Sequence, residues 1–117
     1  MNIELSMGKC EACNIDAPSL CDDEIKKLQP QISSWSIIED EDEVRKLICA
    51  FAFKDYDESL NFTNIVAKLA EEEDHHPEII LEWGKVTVSW WSHKIKGLHQ
   101  NDFICAAKTD ELFNSFN

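Results

Sequence analysis

The four histidines of this chain, His75, His76, His93 and His99, all fall inside the stretch Asp74–Asp102, DHHPEIILEWGKVTVSWWSHKIKGLHQND. Imidazole ordinarily titrates close to neutral pH, so a cluster of imidazoles is suited to giving and taking protons. An acidic run, Glu71, Glu72, Glu73 and Asp74, stands directly upstream. The C-terminal end of a helix carries partial negative charge, and formal carboxylates added there favour the protonated form of a nearby imidazole. These acids are therefore expected to keep a histidine protonated for work as a general acid.

Other chemistries fit less well. Histidines that share one zinc ion are commonly spaced i and i+4 on a helix, whereas adjacent ones diverge, so no metal is expected here. There is no glycine-rich phosphate loop, and no serine or cysteine sits in a recognisable nucleophile elbow. Blander roles exist for each residue. His75 and His76 can cap carbonyls and face water, and the acidic run can be a solvated helix end. His99 reads as a helix-start residue, and Asp102 as a first-turn acid. Trp83, Trp90 and Trp91 are of a type more often found in cores and interfaces, and strand register assigns Trp90 to the core.

The elements that must position these groups follow from periodicity. Asp22 opens a helix with acids in its first turn, and Pro30 is expected to end it. Two strands follow, Trp35–Asp40 and Val44–Phe53, joined by the polar turn 39–43; Leu47, Cys49, Phe51 and Phe53 share the face turned to the core. Asp55, with Glu58 three residues on, starts the longest helix, whose apolar stripe is Phe62, Ile65, Val66, Leu69 and Ala70. Pro77 forces an end near His75 and pins the histidine pair at a helix-to-strand junction. Strands Ile79–Trp83 and Lys85–His93 meet at Gly84, and a last helix begins near His99–Asp102 and carries Phe103, Ala107 and Phe113. The order is α-β-β-α-β-β-α. That order predicts a single α+β domain, a four-stranded antiparallel sheet with three helices packed on one face. Residues 1–21 are expected to form a partly ordered extension and 22–117 the domain proper.

With 117 residues the chain suits one domain able to bury a core without disulfides. A formal charge of −12 excludes nucleic-acid backbones as a favoured partner. No apolar run approaches the roughly 20 residues of a spanning helix, and the N-terminus lacks a secretory pattern, so a cytoplasmic protein with no membrane partner is expected. Five scattered cysteines read as reduced thiols. Cys10, Cys13 and Cys21 offer a weak zinc or redox signal.

The segment E-x-x-D-H-H-P, followed by an aromatic and K-V, then S-H, G-L and a closing D, resembles the pterin-4a-carbinolamine dehydratases. Trp35 and the run Phe51-Ala52-Phe53-Lys54-Asp55-Tyr56 match the same pattern upstream. The resemblance covers roughly residues 22–114. Cys-Glu-Ala-Cys near the N-terminus and Trp-Gly-Lys-Val-Thr-Val-Ser-Trp-Trp-Ser-His are similar to the proteobacterial branch. The resemblance implies loss of water from a 4a-hydroxytetrahydropterin to give quinonoid dihydropterin, with no metal or organic cofactor. It implies a catalytic set of His75, His76 and His93, with His75 and His93 moving protons and His76 orienting. It further implies a substrate-binding set of Glu71, Asp74, Trp91, Ser92, Lys94 and Asp102. Ser92 stands where many relatives have threonine, and Lys94 where some carry an acid. Implied partners are the pterin itself, further copies in a homodimer or homotetramer, and a functional link to an aromatic amino-acid hydroxylase. Animal relatives also act as dimerisation cofactors of a homeodomain transcription factor. The alternative is therefore a protein-binding module with a vestigial pterin site.

Overall fold

In a computed structural model that describes residues 20–116, two β-hairpins alternate with three helices. Helix α1 spans Asp22–Leu28 and continues as a 3-10 turn, Gln29–Ile32. The α-helix thus ends just before Pro30, as expected, and Pro30 sits at the start of the 3-10 turn, where its fixed φ is tolerated. Strands β1 (Ser36–Glu39) and β2 (Arg45–Ala52) form the first hairpin, and β3 (Glu78–Glu82) and β4 (Lys85–Trp90) the second. The sheet order is β1-β2-β4-β3, every pair antiparallel. Helices α2 (Tyr56–Glu73) and α3 (Gln100–Phe116) lie across it. The architecture is the α+β arrangement expected, with helices on one face. No helix among the described residues is long and apolar enough to cross a membrane.

Strand alternation builds the core. Leu47, Cys49 and Phe51 of β2 and Val86, Val88 and Trp90 of β4 turn inward, where they meet Phe62, Val66, Leu69 and Ala70 of α2 and Phe103, Ile104 and Ala107 of α3. Burial of such side chains stabilises by about 1.5–3 kcal/mol each. Ile65 departs from the expected stripe: at 37% exposure it is left outside the core, as are Leu60 and Tyr56. The buried stripe on this helix is narrow and takes in Ser59 instead.

Three boundaries matter for function. Asp55 caps α2 by accepting the N–H of Glu58 at 2.8 Å, while the Glu58 carboxylate reaches the N–H of Lys54 at 3.3 Å, one residue upstream of a reciprocal box. The other end of α2 stops before Pro77 acts. Asp74 turns left-handed (φ 50, ψ 42), and the N–H of His75 donates to the carbonyl of Ala70 at 3.1 Å, closing a Schellman-type cap. The third boundary corrects the expected strand Lys85–His93. Strand β4 ends at Trp90, and the backbone closes a tight loop in which Ser92 bridges Gly97, the Ser92 N–H meeting the Gly97 carbonyl at 2.9 Å. Lys96 in that loop has a positive φ of 51, so His93 rides on a turn and not on a strand.

Candidate active site

His75 is the residue the fold treats most specially. The left-handed corner at Asp74 directs it into the interior, where it is 4% exposed and its ring lies nearly parallel to that of Trp90, 11° apart with centroids 5.6 Å apart. Trp90 is itself fixed, its indole N–H donating to the Thr109 hydroxyl at 3.2 Å. His75 Nε2 is 2.6 Å from Oδ1 of Asp102. An ionised carboxylate only accepts, so Nε2 carries the proton and Nδ1 is the ring nitrogen left for a substrate.

Asp102 is wholly buried (0% exposed), and its second oxygen is also engaged. Oδ2 accepts the Ser92 hydroxyl at 2.9 Å and the backbone N–H of His99 at 2.9 Å. The last bond belongs to a capping box in which His99 stands in for the usual serine or threonine: its Nδ1 accepts the N–H of Asn101 at 3.1 Å. The start of α3 therefore fixes Asp102, and Asp102 fixes His75. A buried charge so placed needs this full set of donors.

His76, next in sequence, stays at the surface. It is exposed and pairs with Glu71 Oε1 at 2.7 Å, also exposed. Its backbone carbonyl faces the turn after β4 and accepts from His93 Nε2 at 3.1 Å, a bond made by the Nε2–H tautomer, in which Nδ1 is that ring's acceptor. A hollow of about 160 Å³ opens between these groups, lined by Asp74, His75, His76, His93 and Lys94. Among the described residues no three histidine, cysteine or acidic side chains gather as metal ligands. Cys10 and Cys13 lie outside the described residues. Cys21 is exposed at the start of α1, and Cys49 and Cys105 are buried in the core. Burial pushes the Cys49 thiol up to about 11, which leaves it unreactive near neutral pH.

The sequence family described as pterin 4 alpha carbinolamine dehydratase matches this chain over residues 18–112. The chain belongs to that family. A relative from Nitrosococcus oceani named for pterin-4-alpha-carbinolamine dehydratase is 59% identical over 93% of this chain and 96% of its own length. One from Photobacterium profundum with the same name is 57% identical over 87% and 90%. Two solved structures share the fold. A transcriptional coactivator/pterin dehydratase from Brucella melitensis superposes with a TM-score of 0.71 at 24% identity, covering 81% of this chain and 98% of that one. A pterin dehydratase-like RuBisCO assembly factor of the alpha-carboxysome gives 0.57 at 25% identity, over 68% and 88%.

Of the residues that the dehydratase pattern singles out, His75, His76, His93, Asp74 and Lys94 come together at the hollow. Ser92 and Asp102 lie behind His75, both 0% exposed, with no face on it. Glu71 reaches the site through His76, and Trp91 lies against His93 with ring centroids 4.4 Å apart. The acidic run does not supply the charge beside His75. Glu71 goes to His76, Glu73 meets Lys108 Nζ at 3.0 Å, and Asp74 forms the helix cap. The carboxylate on His75 comes from Asp102, 27 positions away. Trp90, Thr109 and His99 were missed as supporting residues. Only the helix-start pattern at His99–Asp102 could have signalled the last.

Proposed function

We propose that this chain dehydrates 4a-hydroxytetrahydropterin to quinonoid dihydropterin by histidine general acid–base catalysis, within tetrahydropterin recycling and without a metal or organic cofactor. The observation that carries the reading is that His75 and His93 border one hollow, each with Nε2 committed to an oriented acceptor and Nδ1 left over. His93 Nδ1 takes the proton from N5 of the pterin. The N5–H electrons form the N5–C4a double bond, the C4a–oxygen bond breaks, and the departing hydroxyl takes the Nδ1 proton of His75 as water leaves. Solvent then returns the proton from His93 to His75.

Asp102 accepts the hydrogen bond of the His75 Nε2–H throughout and opposes the charge of the imidazolium form before transfer. In this scheme Asp102 and Ser92 position the acid without touching substrate. His76 and Lys94 orient the pterin at the rim, Asp74 shapes the hollow, and Glu71 steadies His76. Family membership and the names of the two proteobacterial relatives support the substrate class. The reading places the protein in the cytoplasm as a homodimer or homotetramer, beside an aromatic amino-acid hydroxylase that produces the carbinolamine. Dehydration of enzymatically generated carbinolamine, followed in the ultraviolet, tests it. Purified protein should exceed the spontaneous rate many-fold. A rate no faster than spontaneous, or a His75→Ala/His93→Ala double variant equal to the parent, refutes it.

A further inference from the structure

His93 is exposed, sits on a turn, and among the described residues has one hydrogen bond, to the carbonyl of His76. A single bond to a carbonyl leaves an imidazole free to rock about its side-chain torsions and to exchange tautomers. Something else must hold the ring. Its neighbour is Trp91, tilted 37° to it at a centroid separation of 4.4 Å. Trp91 follows the buried Trp90 and is itself half-buried. Leu47 of β2 pairs with Trp90 across the sheet, and Lys46, one step along β2, reaches Trp91. Its ammonium lies 4.1 Å from the centre of the Trp91 ring, well within cation–π range.

The lysine is anchored in turn. Its ammonium is 3.2 Å from Oδ2 of Asp40 in the β1–β2 turn, and the Lys46 side chain is only 19% exposed. Asp40 is held through its other oxygen, which accepts the N–H groups of Asp42 at 2.9 Å and Val44 at 3.0 Å. These bonds, the one from Val44 foremost, hold its carboxyl below the usual range and keep it an anion. A continuous line of contacts therefore runs across the sheet from Asp40 through Lys46 and Trp91 to His93.

We propose that Lys46, braced by Asp40, is a positioning residue for His93: it holds the Trp91 ring as a wall that keeps His93 in the Nε2–H tautomer with Nδ1 available as the base. The catalytic consequence rests on the dehydratase reading above; the positioning itself does not. Trp91 on this view supports His93 and is not a platform for the pterin.

The test is Lys46→Met, which keeps the stem and removes the charge, with Lys46→Arg as the conservative variant whose guanidinium also stacks on indole. Two quantities are read: dehydratase kcat and KM, and the His93 ring-nitrogen shifts in long-range proton–nitrogen NMR spectra. In Lys46→Met, kcat should fall roughly three- to tenfold at constant KM, the range a cation–π contact of ordinary strength commands. His93 should pass from one tautomer to a mixture, and Lys46→Arg should restore both readouts. Unchanged His93 nitrogen shifts in Lys46→Met overturn the proposal, whether or not turnover falls, since a loss of turnover alone would assign the lysine to the substrate's charge. If the parent protein shows no dehydratase activity, the functional reading falls while the nitrogen spectra still decide the positioning.

Discussion

Helix α3 carries two carboxylates that leave bulk water, and the fold provides for them unequally. Asp102, in the first turn, is met by three donors: the His75 ring, the Ser92 hydroxyl and the His99 backbone. Asp110, two turns on, accepts one bond, from the Trp35 indole at 2.9 Å, and borders an open hollow with Cys49 and Asn114. Burial pushes the Asp110 carboxyl up from its ordinary value near 3.8, and the Trp35 bond only partly opposes it. The contrast shows what converts burial into a usable charge. Desolvation alone moves a carboxylate toward its neutral form, whereas a full set of donors offsets the cost of burying it.

Removing the better-provided carboxylate should have the largest effect. Asp102→Ala strips three donors of their acceptor at once, and loss of about 3–5 kcal/mol of stability is expected in chemical denaturation, with dehydratase activity abolished. The two histidines sharpen the same contrast. His75→Ala and His93→Ala should each lower kcat by about 10²–10⁴-fold. Only His75→Ala should also lower the melting temperature, because it leaves Asp102 buried and short of a partner. Equal losses of stability in both would break the distinction between an interior acid and a surface base. Ser92→Ala removes one donor of the three and should cost about 1–2 kcal/mol, read as a shifted denaturation midpoint with the slope unchanged.

The smallest effect belongs to Asp110. Its folded pKa lies above the unfolded one, so its contribution to stability is present below pH 3.8 and is lost as pH rises through the folded value. Asp110→Asn should therefore gain on the parent in melting temperature as pH goes from acid to neutral. A difference independent of pH would remove the contrast between the two carboxylates.

Periodicity and end signals made the element order legible, because the apolar positions of β2, β4, α2 and α3 repeat as the elements require. The end of β4 was not legible. Trp91 and His93 continue the alternation of β4 in sequence, although the strand ends at Trp90 and the backbone turns over residues 93–96, closed by the bridge between Ser92 and Gly97. Alternation records which way side chains would point along an extended chain and is silent on whether the chain stays extended. The three histidines could be grouped from Pro77 and the Ser-His pair, but their partners could not. Glu71 to Glu73 stood next to His75 in sequence, whereas the contact is made by Asp102, because only packing of α3 against α2 brings the two together. Lys46 gave no local sign, since its role depends on a tryptophan from the neighbouring strand's end.

The left-handed corner at Asp74 makes the adjacent histidines unequal: one turn of backbone sends the first into the interior and the second into water. Two identical letters in the sequence thus hold posts that cannot be exchanged. The spacing from the last residue of α2 to the first of β3 is accordingly a count the chain must keep. A residue inserted or deleted there would hand the interior seat to a different side chain while every member of the site was still present.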